Sequence, residues 1–575
     1  MERIFQKSVK RTSICLNGQW NITFDPDNTG LQKGYHRGEN LSEDVSYVPS
    51  CWNLQLHKFD YFGVVWYSRK FTTAISSNSR LIFHAVSGQA VVYLDGKELG
   101  QHYGSYNKFW FDIPHLSAGE HLLVVKVDNT INDEDTMPLR FVDWFVWGGI
   151  YRNVELEQFN NLSIDKIHID TEWDGLKVSG VNVKVQVKNW IDKEITDDFS
   201  LEMESAGKTF KKITIQPGSV QDVSFTLKEF KPILWDTENP HLYMLHISCG
   251  TDDLYERTGF RKIETKNNRI LLNGREIFIK GVNRHNDHPE LGYAINASLI
   301  LRDMQIIKDL GANAIRGSHY PNDPIVMDYC DQMGLLFWEE LAFWNHPAHS
   351  LAKPLLHQRA LQMAREMIER DYNHPSIIIW SIQNESKSSS QEGLDLFSKI
   401  AVQMRQMDSS RLLSYASACG KNDICFDLVD IACWNMYPGW YDDDEPLDNL
   451  DKRFALKLKD ARNWLTENKQ LKPFMITEFG AAALLGETTF EDGRRYTENY
   501  QQKLLEKAIK GLIDSKVVQG FFIWQFCDGR TALPSKISIG RPRSFNNKGI
   551  VDEYRKPKLA YYTVRDLLHK ISTYR

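Results

Sequence analysis

The chain has 575 residues, 42% hydrophobic and 25% charged; the composition is that of a globular protein, and the length exceeds one core, so about three or four domains are expected. Its 69 basic and 75 acidic side chains leave a net charge of −6 with no long run of either sign, which argues against a nucleic-acid or polybasic-membrane binder. Eight scattered cysteines form no CxxC pair, the N-terminus lacks a secretory apolar run, and no stretch approaches about 18 apolar residues, so no signal peptide, no membrane span and a cytoplasmic location are expected.

From the start to Phe159 the text is strand-like and rich in turns. "VWYSRKFTT", "RLIFHAV", "QAVVYLDGKELG" and "HLLVVKVDN" place β-branched and aromatic residues between Gly, Asn and Asp. Asp95-Gly96 separates two such runs and predicts a tight hairpin. From Asn160 to about Ile263 strands continue, as in "VNVKVQVKN" and "DVSFTLKEF", at the spacing of a small sandwich. Two β domains are therefore expected over 1–159 and 160–264, with a third unit over 265–575.

In that third unit strand and helix alternate. Ser298 is expected to cap a helix whose Ile300, Met304, Ile307 and Leu310 share one face, and Gly311 to terminate it. "ANAIR" reads as the next strand, Asp323-Pro324 as an N-cap with an N1 proline, Gly334 as a stop and "LLFWEE" as another strand. The cycle continues through "SIIIWSI", "LLSYAS", "VDIACWN", "PFMITEFG" and "GFFIWQF", with amphipathic segments between most of them. About eight such units over roughly 300 residues predict a (β/α)8 barrel rather than an open doubly wound sheet. No glycine-rich phosphate fingerprint follows any strand.

Chemistry in such a barrel collects at the C-terminal ends of the strands. Those ends carry Arg284-His285, Arg316 with His319, Glu339-Glu340, Asn384-Glu385, Trp434-Asn435, Glu478 and Trp524. No hydroxyl or thiol nucleophile with a partnered histidine stands out. Taken singly, Glu385 or Glu478 reads as a rim carboxylate or an arginine partner. Together, across one barrel mouth, two partly desolvated carboxyl groups drive one pKa up while the other stays low. That yields a proton donor and a nucleophile, as glycoside hydrolysis requires, at separations of about 5–5.5 Å for retention and about 6.5–9.5 Å for inversion.

Several long stretches carry a family resemblance, in order, along essentially the whole chain. They are "LNGQW", "VPSCWN", "WYSRKF" and "WGGIYRNV"; then "LWDTENPHLY" and "RTGFRKIE"; then "FIKGVNRHNDHPELG", "LRDMQIIKDLGANAIRGSHYPND", "NHPSIIIWSIQNES" and "MITEFGA". The chain resembles glycoside hydrolase family 2, the β-galactosidase, β-mannosidase and β-glucuronidase group. The resemblance implies an N-terminal β jelly-roll of sugar-binding type, an immunoglobulin-like β-sandwich and a catalytic (β/α)8 TIM barrel. It further implies a retaining double displacement with Glu385 as acid/base and Glu478 as nucleophile, and Asn384 as the amide that bonds the sugar 2-hydroxyl.

Smaller features bear on the sugar. "SFNNKGIVDEYRKPKLAYY" resembles the β-glucuronidase segment whose Asn-x-Lys-Gly grips a uronic acid carboxylate, here through Asn546 and Lys548. An ammonium and an amide donor at the C6 end favour a carboxylate over a neutral hydroxymethyl group. "CWNMYPGWY" resembles a second glucuronidase segment and implies that Asn435, Tyr437 and Tyr441 line the pocket. Asp143 resembles an aspartate reaching the sugar hydroxyls from the N-terminal domain, and His319 and Trp524 resemble pocket wall and floor. Each also reads as an ordinary core aromatic, buried histidine or polar loop residue.

There are departures. Only 37 residues, Glu339 to Pro375, separate the third and fourth barrel strands, little room for a lid, so an open mouth that admits bulky or oligosaccharide aglycones is expected. Arg541 and Arg543 straddle the position where the family places an arginine, and "WQFCDGR" stands where "WNFAD" is commoner. The resemblance implies a β-glucuronidase acting on small-molecule or oligosaccharide β-glucuronides. β-Galacturonidase, β-galactosidase and a non-catalytic carbohydrate-binding protein are the alternatives. No cofactor and no metal are implied, and a homo-oligomer, dimer or tetramer, is expected.

Overall fold

In a computed structural model of the chain, the residues described are 3–140, 142–228, 230–441, 445–489, 493–531 and 540–574. The N-terminal unit stacks a four-stranded antiparallel sheet on a six-stranded one in a jelly-roll. Leu16, Trp20, Val65, Tyr67, Phe83 and Val125 fill the space between them. The hairpin expected at Asp95-Gly96 joins strands Gln89–Leu94 and Lys97–Tyr103. Both turn residues take positive φ, 50° and 80°, the type I′ geometry that matches strand twist. A sandwich of a three-stranded and a four-stranded antiparallel sheet follows, with Val181, Val183, Val185, Phe199, Leu201 and Leu245 in its core. It is the immunoglobulin-like unit.

The C-terminal unit is a barrel of eight parallel strands: β1 Ile279–Asn283, β2 Ala314–Gly317, β3 Leu336–Glu340, β4 Ile377–Asn384, β5 Leu412–Ala416, β6 Ala432–Asn435, β7 Phe474–Glu478 and β8 Gly520–Ile523. They pair in the order β5-β4-β3-β2-β1-β8-β7-β6. Between β5 and β6 a single bridge, Ser417 to Trp434, completes the ring. Ala314, Leu336, Trp338, Ile379, Leu412, Cys433, Met475 and Phe522 form the inner core, and Trp235, from the sandwich side, joins it from below. The Trp235 indole donates to the carbonyl of Asp331 in the helix Pro324–Met333 at 2.7 Å, and Ile263, Ile270 and Leu272 of the hairpin that follows the sandwich pack beneath the barrel.

Helix α1, Ala297–Asp309, buries Ile300, Met304 and Ile307, and Gly311 ends it at φ 82°. Its N-cap is Asn296 rather than the expected Ser298: the Asn296 side chain accepts the Leu299 N–H, and the Ser298 hydroxyl bonds that same oxygen. Two capping-type residues two apart compete for one role, and the amide closes the turn. Helix α2, Pro324–Met333, starts on Asp323 with Pro324 at N1 and ends at Gly334 in the left-handed region. No α-helix joins β5 to β6. Two 3-10 turns, Gly420–Asn422 and Phe426–Leu428, make that crossing, a departure from the expected strand–helix alternation. Between β3 and β4 the chain is taken up by helix Ala348–Leu351 and helix α3, Pro354–Asp371. No helix is long and apolar enough to cross a membrane among the described residues.

Gly334 joins barrel to sandwich. Its φ is 66°, and a Cβ there would lie 2.6 Å from the backbone oxygen of Thr237, which no rotamer change relieves. Gly334→Ala is expected to cost about 2 kcal/mol, from the left-handed backbone and the displaced Thr237. Chemical denaturation checks this: the unfolding midpoint falls, and an unchanged midpoint would show that the junction relaxes freely.

Candidate active site

Strand β4 is buried along its whole length, which places Glu385 rigidly at its C-terminal end. The residue sits at φ 52°, uncommon for a non-glycine. The surroundings hold it there: its N–H donates to the Ala416 carbonyl at 2.9 Å and the next N–H to the Gln383 side chain at 2.7 Å. Asn435 at the end of β6 donates to Glu385 Oε1 at 2.8 Å. Burial, then the nearby charge of Glu478, pushes the Glu385 carboxyl up to about 7, against the pull of Asn435 and Arg316.

Glu478 ends β7 with both oxygens occupied. Arg316 donates to Oε1 and the Tyr437 hydroxyl to Oε2, each at 2.7 Å. Arg316, fully buried at the end of β2, also forks onto Glu340 at 2.9 Å and donates to Asn283 at 2.9 Å and Asn384 at 2.7 Å. Burial lowers the pKa of that guanidinium, but the carboxylates of Glu340 and Glu478 outweigh it and the net direction is up. The Asn384 carbonyl accepts from Arg316 and, at 3.2 Å, from Asn435. Its Nδ2 is buried with no partner among the described residues, a donor left for something that enters the mouth.

The wall of the mouth is aromatic. His319 stacks on Trp524 with ring centres 4.9 Å apart, and His285 meets Trp524 edge-on at 5.5 Å. His319 Nδ1 lies 2.9 Å from Glu340. Burial, with Arg316 beside it, drives His319 well below the ordinary histidine range, and burial does the same to His285. In both the shift favours the neutral ring, and among the described residues His285 Nε2 is another buried atom without a partner.

A second cluster adjoins the first through the Tyr437–Tyr441 ring pair, 5.0 Å between centres. Lys548, 1% exposed, donates to the Tyr441 hydroxyl at 2.6 Å, and Arg541 donates to the same oxygen at 2.9 Å. Arg541 also grips Asp143 of the jelly-roll at 3.0 and 2.6 Å, and Asn546 donates to Asp143 at 2.8 Å. Burial would raise the Tyr441 phenol, but Lys548 and Arg541 outweigh it and hold it below its ordinary value. Two cations thus converge on one exposed hydroxyl, an arrangement suited to an anionic group. Of the two arginines straddling the family position, Arg541 faces this cluster, whereas Arg543 pairs with Glu553 at 2.8 Å.

All eleven residues singled out in the sequence, Glu385, Glu478, Asn384, Asp143, His319, Asn435, Tyr437, Tyr441, Trp524, Asn546 and Lys548, therefore lie in one connected network. Arg316 and Glu340 were visible at strand ends but carried no role in the sequence reading, and Arg541 had no settled place. The signal for Arg316 was its position at the end of β2; its partners come from four other strands and no spacing reveals them. Among the described residues Asp328, Asp331 and His374 have metal-ligand spacing. Arg3 and Arg257 already donate to Asp328, at 2.8 and 3.3 Å, so guanidinium groups meet its charge.

Comparison with known proteins agrees with this architecture. Residues 14–159 match the sugar binding domain of glycosyl hydrolases family 2, residues 162–261 a further family 2 domain, and residues 263–573 the family's TIM barrel domain. A family 2 β-galacturonidase from Eisenbergiella tayi, solved bound to galacturonate, is 33% identical with a TM-score of 0.91, covering 100% of both chains. A β-glucuronidase of an uncultured Clostridium sp. is 26% identical with a TM-score of 0.86, covering 99% of each. The Streptococcus agalactiae β-glucuronidase is 27% identical over 95% of this chain and 94% of its own. With its barrel domain matched over more than half its length, the chain belongs to glycosyl hydrolase family 2 and is a glycoside hydrolase.

Proposed function

We propose that the chain is a retaining exo-β-uronidase, with terminal β-D-glucuronides as the first reading of its substrate. The observation that carries the uronate is the convergence of Lys548 and Arg541 on the Tyr441 hydroxyl beside Asn546. Two cations and one carboxylate, Asp143, leave this cluster net positive; a carboxylate at C6 of a bound sugar would meet that charge, whereas a neutral hydroxymethyl group would forgo the charge-assisted contact. β-D-Galacturonides are a second reading, favoured by the likeness to the Eisenbergiella tayi β-galacturonidase.

In the first step Glu478 attacks the anomeric carbon, and Glu385 gives its proton to the leaving oxygen. The Glu478 oxygen bonded by Tyr437 or by Arg316 loses its charge as the C–O bond forms. The departing aglycone takes the Glu385 proton and the bonding electrons of the cleaved C–O bond. Glu385, now a carboxylate, takes a proton from water, whose oxygen attacks the same carbon and expels Glu478. Asn384 Nδ2 donates to the 2-hydroxyl, a contact that strengthens toward the oxocarbenium-like transition state.

The test of the whole reading is a side-by-side assay on p-nitrophenyl β-D-glucuronide, galacturonide and galactoside, with proton NMR of the sugar first released. A uronide is expected to be preferred strongly over the galactoside, the β-anomer to appear first, and activity to vanish in Glu478→Ala. Equal turnover of galactoside and uronides would overturn the carboxylate reading, an α-anomer the retaining one, and activity on no glycoside the hydrolytic one.

The pH profile follows from Glu385. Its carboxyl is raised from the usual carboxylate range to about 7 and must be protonated in the first step. kcat/KM is therefore expected to be sustained below about pH 7 and to fall about tenfold per unit above it. An alkaline limb beginning below pH 5 would exclude Glu385 as the acid.

Lys548→Ala should lose about a hundredfold in kcat/KM on the uronide, equivalent to about 2.7 kcal/mol of transition-state binding. A loss under threefold would remove Lys548 from the site.

A further inference from the structure

The "WQFCDGR" stretch that follows β8 does more than floor the pocket with Trp524. Gln525 and Asp528 face the loop Asn546–Gly549, and each of that loop's four carbonyls accepts a bond. The Asn546 carbonyl accepts from Gln525 Nε2 at 3.2 Å, and the Lys548 carbonyl from the Gln525 N–H at 3.1 Å. Gln501 donates to the Gly549 carbonyl at 3.0 Å, and the Gly549 N–H donates to Asp528 Oδ1 at 2.9 Å. Contact is close enough that a Cβ on Gly549 would fall 2.3 Å from the Asp528 nitrogen.

Beneath the loop lies a second lysine. Lys558, 0% exposed, directs its ammonium to three acceptors: Asp528 Oδ1 at 2.7 Å, the Ala483 carbonyl at 2.7 Å and the Asn547 carbonyl at 3.1 Å. An ammonium has three N–H donors, and each goes to a different segment: the chain after β8, the chain after β7, and the Asn546–Gly549 loop. The Ala483 N–H returns a bond to the Asn547 carbonyl at 2.9 Å. The segment that follows Glu478 and the loop that carries Lys548 are thereby pinned to one point.

We propose that the buried Asp528–Lys558 ion pair is a positioning element for uronate recognition: it fixes the Asn546–Gly549 backbone and so sets where the Lys548 ammonium meets the sugar carboxylate. The inference rests on the uronidase reading. Lys548 reaches Tyr441 through four flexible side-chain bonds, so its accuracy depends on a fixed Cα, and a displacement of about 1 Å costs about a hundredfold in a positioned interaction. Neither Asp528 nor Lys558 contacts the sugar-facing cluster, so their loss should leave the Glu385–Glu478 chemistry in place.

The test is Lys558→Met, which keeps length but removes charge and donors, with the double variant Asp528→Asn/Lys558→Met in parallel. The double variant leaves no buried ion unpaired, so it carries the test should the single one fail to fold. For both, KM on the preferred p-nitrophenyl uronide is expected to rise about tenfold or more, with kcat within about threefold of wild type and KM on the neutral galactoside unchanged. A merely structural role would lower the active fraction, reducing kcat on both substrates with KM unmoved, and that result overturns the proposal. A wild type without preference for uronides overturns the uronidase reading and this inference with it. A wild type that prefers uronides, with variants of unchanged uronide KM, overturns the positioning role alone.

Discussion

Arg316 is the interaction on which the catalytic mouth depends. One buried guanidinium from β2 bonds Asn283 on β1, Glu340 on β3, Asn384 on β4 and Glu478 on β7. Each buried carboxylate alone would carry a desolvation penalty of several kcal/mol. The planar fork of arginine can serve several acceptors at once, which the point charge of lysine does not. Because those acceptors come from five strands counting its own, Arg316 converts barrel closure into a fixed distance between amide and carboxylate. His319 and Trp524 pack on the same network, so the wall and floor of the pocket inherit that rigidity.

The two clusters divide the work. Around Glu385 and Glu478 the partners are amides, a phenol and one arginine, which orient the carboxylates, while burial and the charge of Glu478 raise the Glu385 pKa against them. Around Lys548 and Arg541 the surplus is cationic, the basis of the proposed uronate recognition. Tyr437 and Tyr441 connect the two clusters, one hydroxyl on each side.

Much of this was legible in the sequence because the barrel repeats local rules. A run such as Ile377–Ile379 with Trp380 can only be a buried strand, and Gly311 and Gly334 stop helices for steric reasons that need no tertiary knowledge. Where local signals competed, tertiary packing decided: Asn296 took the cap that Ser298 could also have filled, and β5 reached β6 through turns whose Phe426 stacks on Tyr415 of β5 rather than through a helix. The partners of Arg316 and the choice of Arg541 over Arg543 were not legible. They join residues up to 398 positions apart, and no periodicity encodes a contact between a jelly-roll turn and a loop near the far end of the chain.

Asp143 belongs to the jelly-roll, while Arg541, Asn546 and Lys548 belong to the barrel unit. The cluster is therefore built by two domains, and the barrel alone does not carry all of its residues. On the proposed reading, substitutions at the seam between the domains would alter the sugar contacts while leaving both glutamates and the barrel interior untouched.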